Sequence, residues 1–443
     1  MDRSLWAVLA GTFTLRFSTG LTGALLGFYF GKLAPPNGNF DAVKVGVMAA
    51  MFYVAEMVLA PPFGLLSDRI GHHRVMQFGP IFGAVAVVLT AAATSLEAAT
   101  LLFLVVIALT RLLEGASTAA SVPSILGYIA LVSAGDEALR GRAAARFEGA
   151  TLAGIGVGFI VAPTLYKITA DASGRPAAAF LLNAALYGVS YLIYRFGVAD
   201  PRGEAELLRA EHPGWRRYAD LVRSTNVMLL APTWIAINAA IGLWFSQSLY
   251  QFSRRDPAFP DQLLHRGFDE LQITIAAIVI AAIFGAGLIY WGNRFKAMRR
   301  TTIILYGVLG GAAMVVAGIA VNHSASLSLP VIVTGGFAAA MAGGLFVLAG
   351  ATPAALGLLA DVTEAFPADR GAIMGLYSVF LAVGQIGGSL IGGFAATAGG
   401  IDGLFVGTFL LLVFALVPLS RLRRAEHFVA GPGTAATLDS GAR

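Results

Sequence analysis

The chain has 443 residues, 57% of them hydrophobic and only 12% charged, with a net charge of +5 and a mean hydropathy of +0.76. Soluble domains carry about 25% charged residues, so this composition excludes an ordinary water-facing surface and points to an integral membrane protein. The absence of cysteine excludes disulfides and thiolate metal sites, and the 53 glycines suit helices packed closely within a bilayer.

A helix needs about 20 apolar residues to cross the hydrocarbon core. On that length twelve spans are predicted, at 5–31, 45–66, 75–94, 100–132, 147–168, 177–197, 226–249, 271–291, 301–321, 328–360, 372–397 and 402–420. The N-terminal MDRSLW runs directly into the first apolar stretch, with no cleavage site after a short apolar region, and reads as the start of a helix rather than a removed signal peptide. The period-2 alternation of barrel strands is absent. The expected class is an all-α membrane protein.

Arginine and lysine placement sets the orientation. With the N-terminus inside, 20 of the 30 basic residues fall in inside segments and seven outside, leaving Arg16, Arg111 and Arg195 within spans. Both termini are expected in the cytoplasm. Only four basic residues are lysine; with the alanine and glycine load, this suggests a GC-rich bacterial genome and hence the cell (inner) membrane.

The longest polar interruption, 198–225, reads as an amphipathic cytoplasmic linker helix. It separates an N-terminal six-helix bundle, 1–197, from a C-terminal one, 226–420. The small, polar tail within 421–443 is expected to be disordered. Sliding the second half back by 230 positions aligns Pro123 with Pro353, Gly127 with Gly357, Arg140 with Arg370, Gly154 with Gly384 and Gly158 with Gly388. Two parallel six-helix repeats follow, a plan found among secondary transporters.

Between spans two and three the chain reads GLLSDRIGHHR, from Gly64 to Arg74. Glycine permits close helix approach, the acid and arginines can form an ion-pair set, and Gly71 allows a tight turn. The stretch resembles the major facilitator superfamily (MFS) motif G-x-L-S/A-D-R-x-G-R/K-R/K-R, matched by Gly64, Leu66, Asp68, Arg69, Gly71 and Arg74. His72 and His73 stand where that motif has arginine or lysine, either as tolerated variation or as a pH-sensitive loop charge. The resemblance implies twelve transmembrane helices in two pseudo-symmetric bundles, the MFS fold. It also implies that Asp68 meets the helix starting near Gly371 and helps hold the cytoplasmic side closed.

Four charges lie near mid-span: Arg16, Glu56, Arg111 and Glu114. A central charge facing lipid costs about 2.5–3.5 kcal/mol, so these must face the interior and are functional candidates. Arg111, Glu114 and Gly115 resemble the family's second motif, and residues three apart share a helix face. The second half carries Met341 opposite Arg111, Gly344 opposite Glu114 and, in a looser alignment, Asn238 opposite Arg16. Assembly of the fold therefore does not require charge at these places. Desolvation favours a protonated carboxyl and a nearby guanidinium favours an ionised one, so a cycle that separates and rejoins such a pair would bind and release a proton. Glu114 is the first candidate carrier and Glu56 the second, with Arg111 and Arg16 as tuning charges or anion ligands. Direct substrate contact and permanent pairing are the alternatives.

Trp234, Asn238, Trp244 and Gln247 on span seven, with Gln385 on span eleven, are candidates for a substrate cavity suited to an amphiphilic solute; helix packing is the alternative. The Gly-Pro pair of drug–proton antiporters is missing from span five, where Gly158 stands five residues before Pro163. No phosphate loop, HExxH metal motif or mid-span histidine is present, so neither an enzyme nor an ATP-driven pump is expected. The reading is a monomeric secondary transporter of a small solute, using no cofactor or metal and binding no nucleic acid. Efflux by proton antiport is preferred over uptake by symport, and a transport-inactive sensor with the same fold is the alternative of another class.

Overall fold

The computed structural model describes residues 3–33, 40–133, 137–173, 176–199, 227–294, 298–355, 357–358 and 370–429. The predicted linker helix and the tail beyond 429 lie outside them. Among the described residues the regular structure is helical, with one isolated bridge between Arg255 and Arg266.

The helices are α1 (Arg3–Lys32), α2 (Ala42–Ile70), α3 (Phe78–Ala93), α4 (Thr100–Val132), α5 (Glu137–Ser173) and α6 (Ala177–Gly197). They continue with α7 (Val227–Ser253), α8 (Glu270–Gly292), α9 (Arg300–Asn322) and α10 (Val331–Leu348). The last helical stretch, Arg370–Val429, is broken by non-helical dihedrals at Gly399 and Gly400, giving α11 (370–398) and α12 (401–429). Ten helical segments are long and apolar enough to cross a membrane among the described residues. One of these, Val379–Arg424, spans both α11 and α12, and α1 brings the number to twelve. Where 328–360 was expected to be one helix, α10 ends at Leu348 in a turn at 349–350 before helix resumes.

α1 falls short on hydropathy because it carries Thr12, Arg16, Ser18 and Thr22, all buried within the protein. Its threonine hydroxyls return bonds to their own helix, Thr12 Oγ1 to the Val8 carbonyl at 2.8 Å and Thr22 Oγ1 to that of Ser18 at 3.0 Å. Such bonds satisfy polar side chains where no water reaches. Large apolar side chains instead point outward, as at Leu101 and Phe196 with 77% and 78% exposure, the surface expected against lipid chains.

The chain divides into two compact units, residues 1–211 with 248–254 and 268–277, and 212–247 with 255–267 and 278–443. In the first unit α1 runs parallel to α5, with contacts in register from Arg16–Gly154 to Phe28–Tyr166. Its core gathers Val8, Met76, Ile125, Tyr128, Phe147, Tyr187 and Tyr194. The core of the second gathers Trp234, Ile237, Ile303, Val308, Ala354 and Leu412.

Candidate functional site

Arg111, Glu114 and Thr118 descend one face of α4, as spacings of three and four dictate. The Arg111 guanidinium donates to Glu114 Oε2, and both side chains are buried, Glu114 to 1% exposure. Glu114 Oε1 is buried without a hydrogen-bond partner. The Arg111 guanidinium also lies over the Phe52 ring of α2, 5.0 Å from its centroid.

Gly115 explains the glycine of this motif. A Cβ there would stand 2.2 Å from the Phe52 carbonyl oxygen and 2.7 Å from Ala55 Cβ, so only glycine lets α2 approach this closely. The approach brings the backbone of Glu56, half-buried on α2, beside the Glu114 turn. Arg16 of α1 joins from another side, its Nη1 donating to Thr118 Oγ1 at 3.2 Å. Tyr53, one turn before Glu56, interacts electrostatically with Glu56, Arg111 and Arg16. The four charges predicted from sequence thus gather in one unit, drawn from α1, α2 and α4.

A fifth belongs with them and was missed. Glu148 of α5 is half-buried and interacts with the Arg16 charge, as Glu56 does. Its signal in the sequence is weak, because Glu148 stands at the edge of the fifth predicted span rather than at its middle.

At the turn between α2 and α3, Gly64 packs toward Pro123 of α4, 3.7 Å from the Pro Cβ to the position a glycine Cβ would take. The Gly71 N–H closes α2 on the Ser67 carbonyl at 3.0 Å, with φ at 103°, a conformation that favours glycine. Ser67 Oγ donates to the Gly64 carbonyl at 2.7 Å and lies 3.0 Å from His72 Nδ1. The His72 ring fills the space over Gly127 of α4. Arg69 and Arg74 are exposed. The expected Asp68 contact falls on side chains outside the described residues.

The second-unit candidates occupy several environments. Trp234 is fully buried in the core, and Asn238 Nδ2 donates back to the Trp234 carbonyl at 2.9 Å. Trp244 Nε1 donates to Thr408 Oγ1 at 2.8 Å, and its ring packs on Phe405 at 5.0 Å. Gln247 is inaccessible. Gln385 lies against Gly242 of α7, and its Oε1 is buried without a hydrogen-bond partner.

A second polar cluster escaped sequence reasoning. Asp402, at the start of α12, accepts from Asn322 Nδ2 at 2.8 Å and Gln262 Nε2 at 3.2 Å, and lies 2.5 Å from His323 Nε2. His323 Nδ1 faces Asp261 at 3.3 Å. These partners are dispersed over 140 residues of chain, without a local spacing to mark them.

The Major Facilitator Superfamily model matches residues 8–349. The Quinolone resistance protein NorA of Staphylococcus aureus, in strains MSSA476, COL and Mu50, is 22% identical over 333 residues, covering 74% of this chain and 76% of the relative. Crystal structures of nucleoside transporter NupG share the fold. A point mutant gives a TM-score of 0.65 at 14% identity, over 94% of this chain and 99% of that one. NupG itself gives 0.63 at 15%, over 96% and 99%.

Proposed function

The chain belongs to the Major Facilitator Superfamily of transporters, and from that premise we propose that it couples solute movement to protons through the charge cluster of its first unit. It is a multi-pass membrane protein and not an enzyme. The observation that carries the coupling is the buried Arg111–Glu114 pair with one carboxylate oxygen unfilled.

An ionised Glu114 is neutralised by Arg111. If a conformational step draws the guanidinium away, the carboxylate is left in a low-dielectric interior, where taking a proton costs less than remaining charged. The proton binds a carboxylate oxygen and leaves when the pair re-forms. Arg16, held by Thr118, keeps a second positive charge beside the site and supports Glu56 as an alternative carrier. Among the described residues, the corresponding places in the second unit carry Met341 and Gly344, so the coupling charge is confined to one unit.

Export of an amphiphilic compound by antiport is the preferred direction. The name of its curated relative, a resistance protein, supports it, since a transporter protects a cell by removing the toxic compound. We place the protein in a bacterial cell membrane with both termini cytoplasmic, acting as a monomer powered by the proton gradient without a cofactor.

The test uses proteoliposomes with an entrapped pH-sensitive dye, offered a fluorescent quinolone, ethidium and a radiolabelled nucleoside in turn. Protons moving against the solute support antiport, and protons moving with it replace export by symport. Solute transport without proton movement, or with coupling unchanged in Glu114→Gln and Glu56→Gln, overturns the coupling.

A further inference from the structure

The polar cluster around Asp402 holds a histidine that proton-coupled transport does not use. Its side chains come from the loop 255–267 between α7 and α8, from the end of α9 with His323 just beyond it, and from the start of α12. All of them belong to the second unit. Successive spans alternate in direction, so the α7–α8, α9–α10 and α11–α12 connections share one side of the membrane. The arginine distribution assigns that side to the outside.

The hydrogen bonds fix which ring nitrogen of His323 carries a proton. An ionised carboxylate only accepts, and Asp402 already accepts from Asn322 Nδ2 and Gln262 Nε2. His323 Nε2, 2.5 Å from Asp402 Oδ2, is therefore a donor. In a neutral imidazole the other nitrogen is then an acceptor, and Nδ1 turns a lone pair toward Asp261 Oδ2, 3.3 Å away. Two acceptors facing each other repel. The imidazolium donates from both nitrogens, and in that form the ring ties Asp261 of the loop to Asp402 of α12. The His323 side chain is 24% exposed and that of Asp261 53%, so protons from water reach the pair.

Among the described residues, Asp261 and Asp402 are the charged groups within ion-pair distance of the ring. Elsewhere on the loop, Arg255 and Arg266 are exposed and meet through their backbones, and Asp256 Oδ1 accepts from the Ala258 N–H at 3.0 Å. The His265 ring is buried and stacks on Phe259. From the α9–α10 connection, Ser326 Oγ donates to the His323 carbonyl at 2.9 Å and so holds the backbone rather than the ring.

We propose that His323 is a pH-operated latch on the outer face of the second unit. In acid the imidazolium fastens the α7–α8 loop, through the end of α9, to the start of α12. As the pH rises Nδ1 loses its proton, its contact with Asp261 becomes repulsive, and that corner of the loop is released while the amide bonds to Asp402 remain. Histidine is the side chain that changes charge between about pH 5 and 8, so a proton gradient that is acid outside also sets the latch. The outward placement rests on the orientation proposed above. The latch itself does not depend on coupling at Glu114.

The test is limited trypsin cleavage at Arg255 and Arg266 of the full-length, detergent-purified protein, at about pH 6 and about pH 8.5, toward the two ends of that range. Dividing each variant's rate by the wild-type rate at the same pH removes the protease's own pH dependence. At the acid end His323→Gln and Asp261→Ala should each be cut about two- to fivefold faster than wild type, the range for one solvent-exposed ion pair. At the alkaline end both should fall to the wild-type rate or below. Asp261 is a surface side chain, so Asp261→Ala carries the test alone if a thermal melt shows His323→Gln to be poorly folded. Ratios equal at the two pH values overturn the latch, and ratios that rise with pH reverse its sign and overturn it too. Trypsin added outside spheroplasts should cut at the same two sites, whereas cleavage only after lysis overturns the outward placement. None of these results bears on Glu114, which the proteoliposome assay decides separately.

Discussion

Arg16 and Asn238 hold the same place in the two units, each with its Cβ against a glycine of the helix packed beside it. For Arg16 the glycine is Gly154, whose missing Cβ would stand 2.9 Å away; for Asn238 it is Gly384, at 2.6 Å. The carbonyls of Phe13 and Ile235 crowd the same two glycines, and Gly20 meets Ile155 as Gly242 meets Gln385. The repeat is therefore one of backbone contacts. What differs is the side chain placed on it, a guanidinium in one unit and an amide in the other.

These contacts give the first prediction. Alanine at Gly154 or Gly384 would stand 2.6 or 2.7 Å from a backbone oxygen, which cannot move aside as a flexible side chain can. Each should cost about 1–3 kcal/mol, the range for overpacking. Gly156 and Gly387, within two or three residues of them, have nothing within 4 Å of a built Cβ. Alanine there should be neutral or stabilising by about 0.5–1 kcal/mol. Thermal melts of the four detergent-purified variants should separate into two pairs, and equal behaviour of all four would refute the packing repeat.

The Arg111–Glu114 pair should behave as a unit. Removing one partner leaves a buried charge uncompensated, a loss of about 3–5 kcal/mol, whereas replacing both removes the charge along with its partner. Arg111→Leu should thus destabilise more than Arg111→Leu with Glu114→Leu. A double-mutant cycle on unfolding measures the coupling. Additive losses would mean that the two side chains do not neutralise each other.

Composition and span length made the twelve helices legible, since the bilayer fixes how much apolar chain a crossing needs. The Arg111–Glu114 pair was legible too, because both members sit on one helix and the spacing of three determines their shared face. The partners of Arg16 were not. Thr118 lies 102 residues away, and a contact of that separation is decided by how glycines let helices approach, which no local pattern records. Glu148 was hidden for a related reason, since it stands at a span edge and gains its meaning only from the register of α5 against α1. The Asp402 cluster draws on loops and helix ends whose neighbours only tertiary folding supplies.

His72 and Gly127 form a second test of close packing. A Cβ on Gly127 would stand 2.4 Å from the His72 ring, so Gly127→Ala should destabilise the contact between the α2–α3 turn and α4 by about 1–3 kcal/mol. Adding His72→Ala removes the obstacle and should recover part of the loss. In the second unit Gly357, aligned with Gly127, is crowded instead by Arg300, whose guanidinium donates to the Gly357 carbonyl. His72→Arg should accordingly fold, since a basic side chain is accommodated at the related place. Failure of His72→Ala to rescue Gly127→Ala in a thermal melt would show that the ring is not the obstacle.

Asp402 fastens three segments of the second unit. Through Asn322 and His323 it holds the end of α9, and through Gln262 the loop 255–267. Gln262 in turn donates to the Gly399 carbonyl at 2.9 Å and accepts from the Ile401 N–H at 2.9 Å, bracing the kink where Gly400 has φ of 60°. Asp402→Ala removes an acceptor shared by three side chains and should cost about 1–3 kcal/mol, the range for leaving buried polar groups unsatisfied. Asp402→Asn keeps one carbonyl acceptor but loses the charge, and should fall between. Because the clamp holds a loop bearing exposed Arg255 and Arg266, its loss should appear as faster tryptic cleavage at those two sites. Wild-type cleavage rates in Asp402→Ala would mean that the loop is held by its apolar contacts, among them the stacked rings of Phe259 and His265, rather than by Asp402.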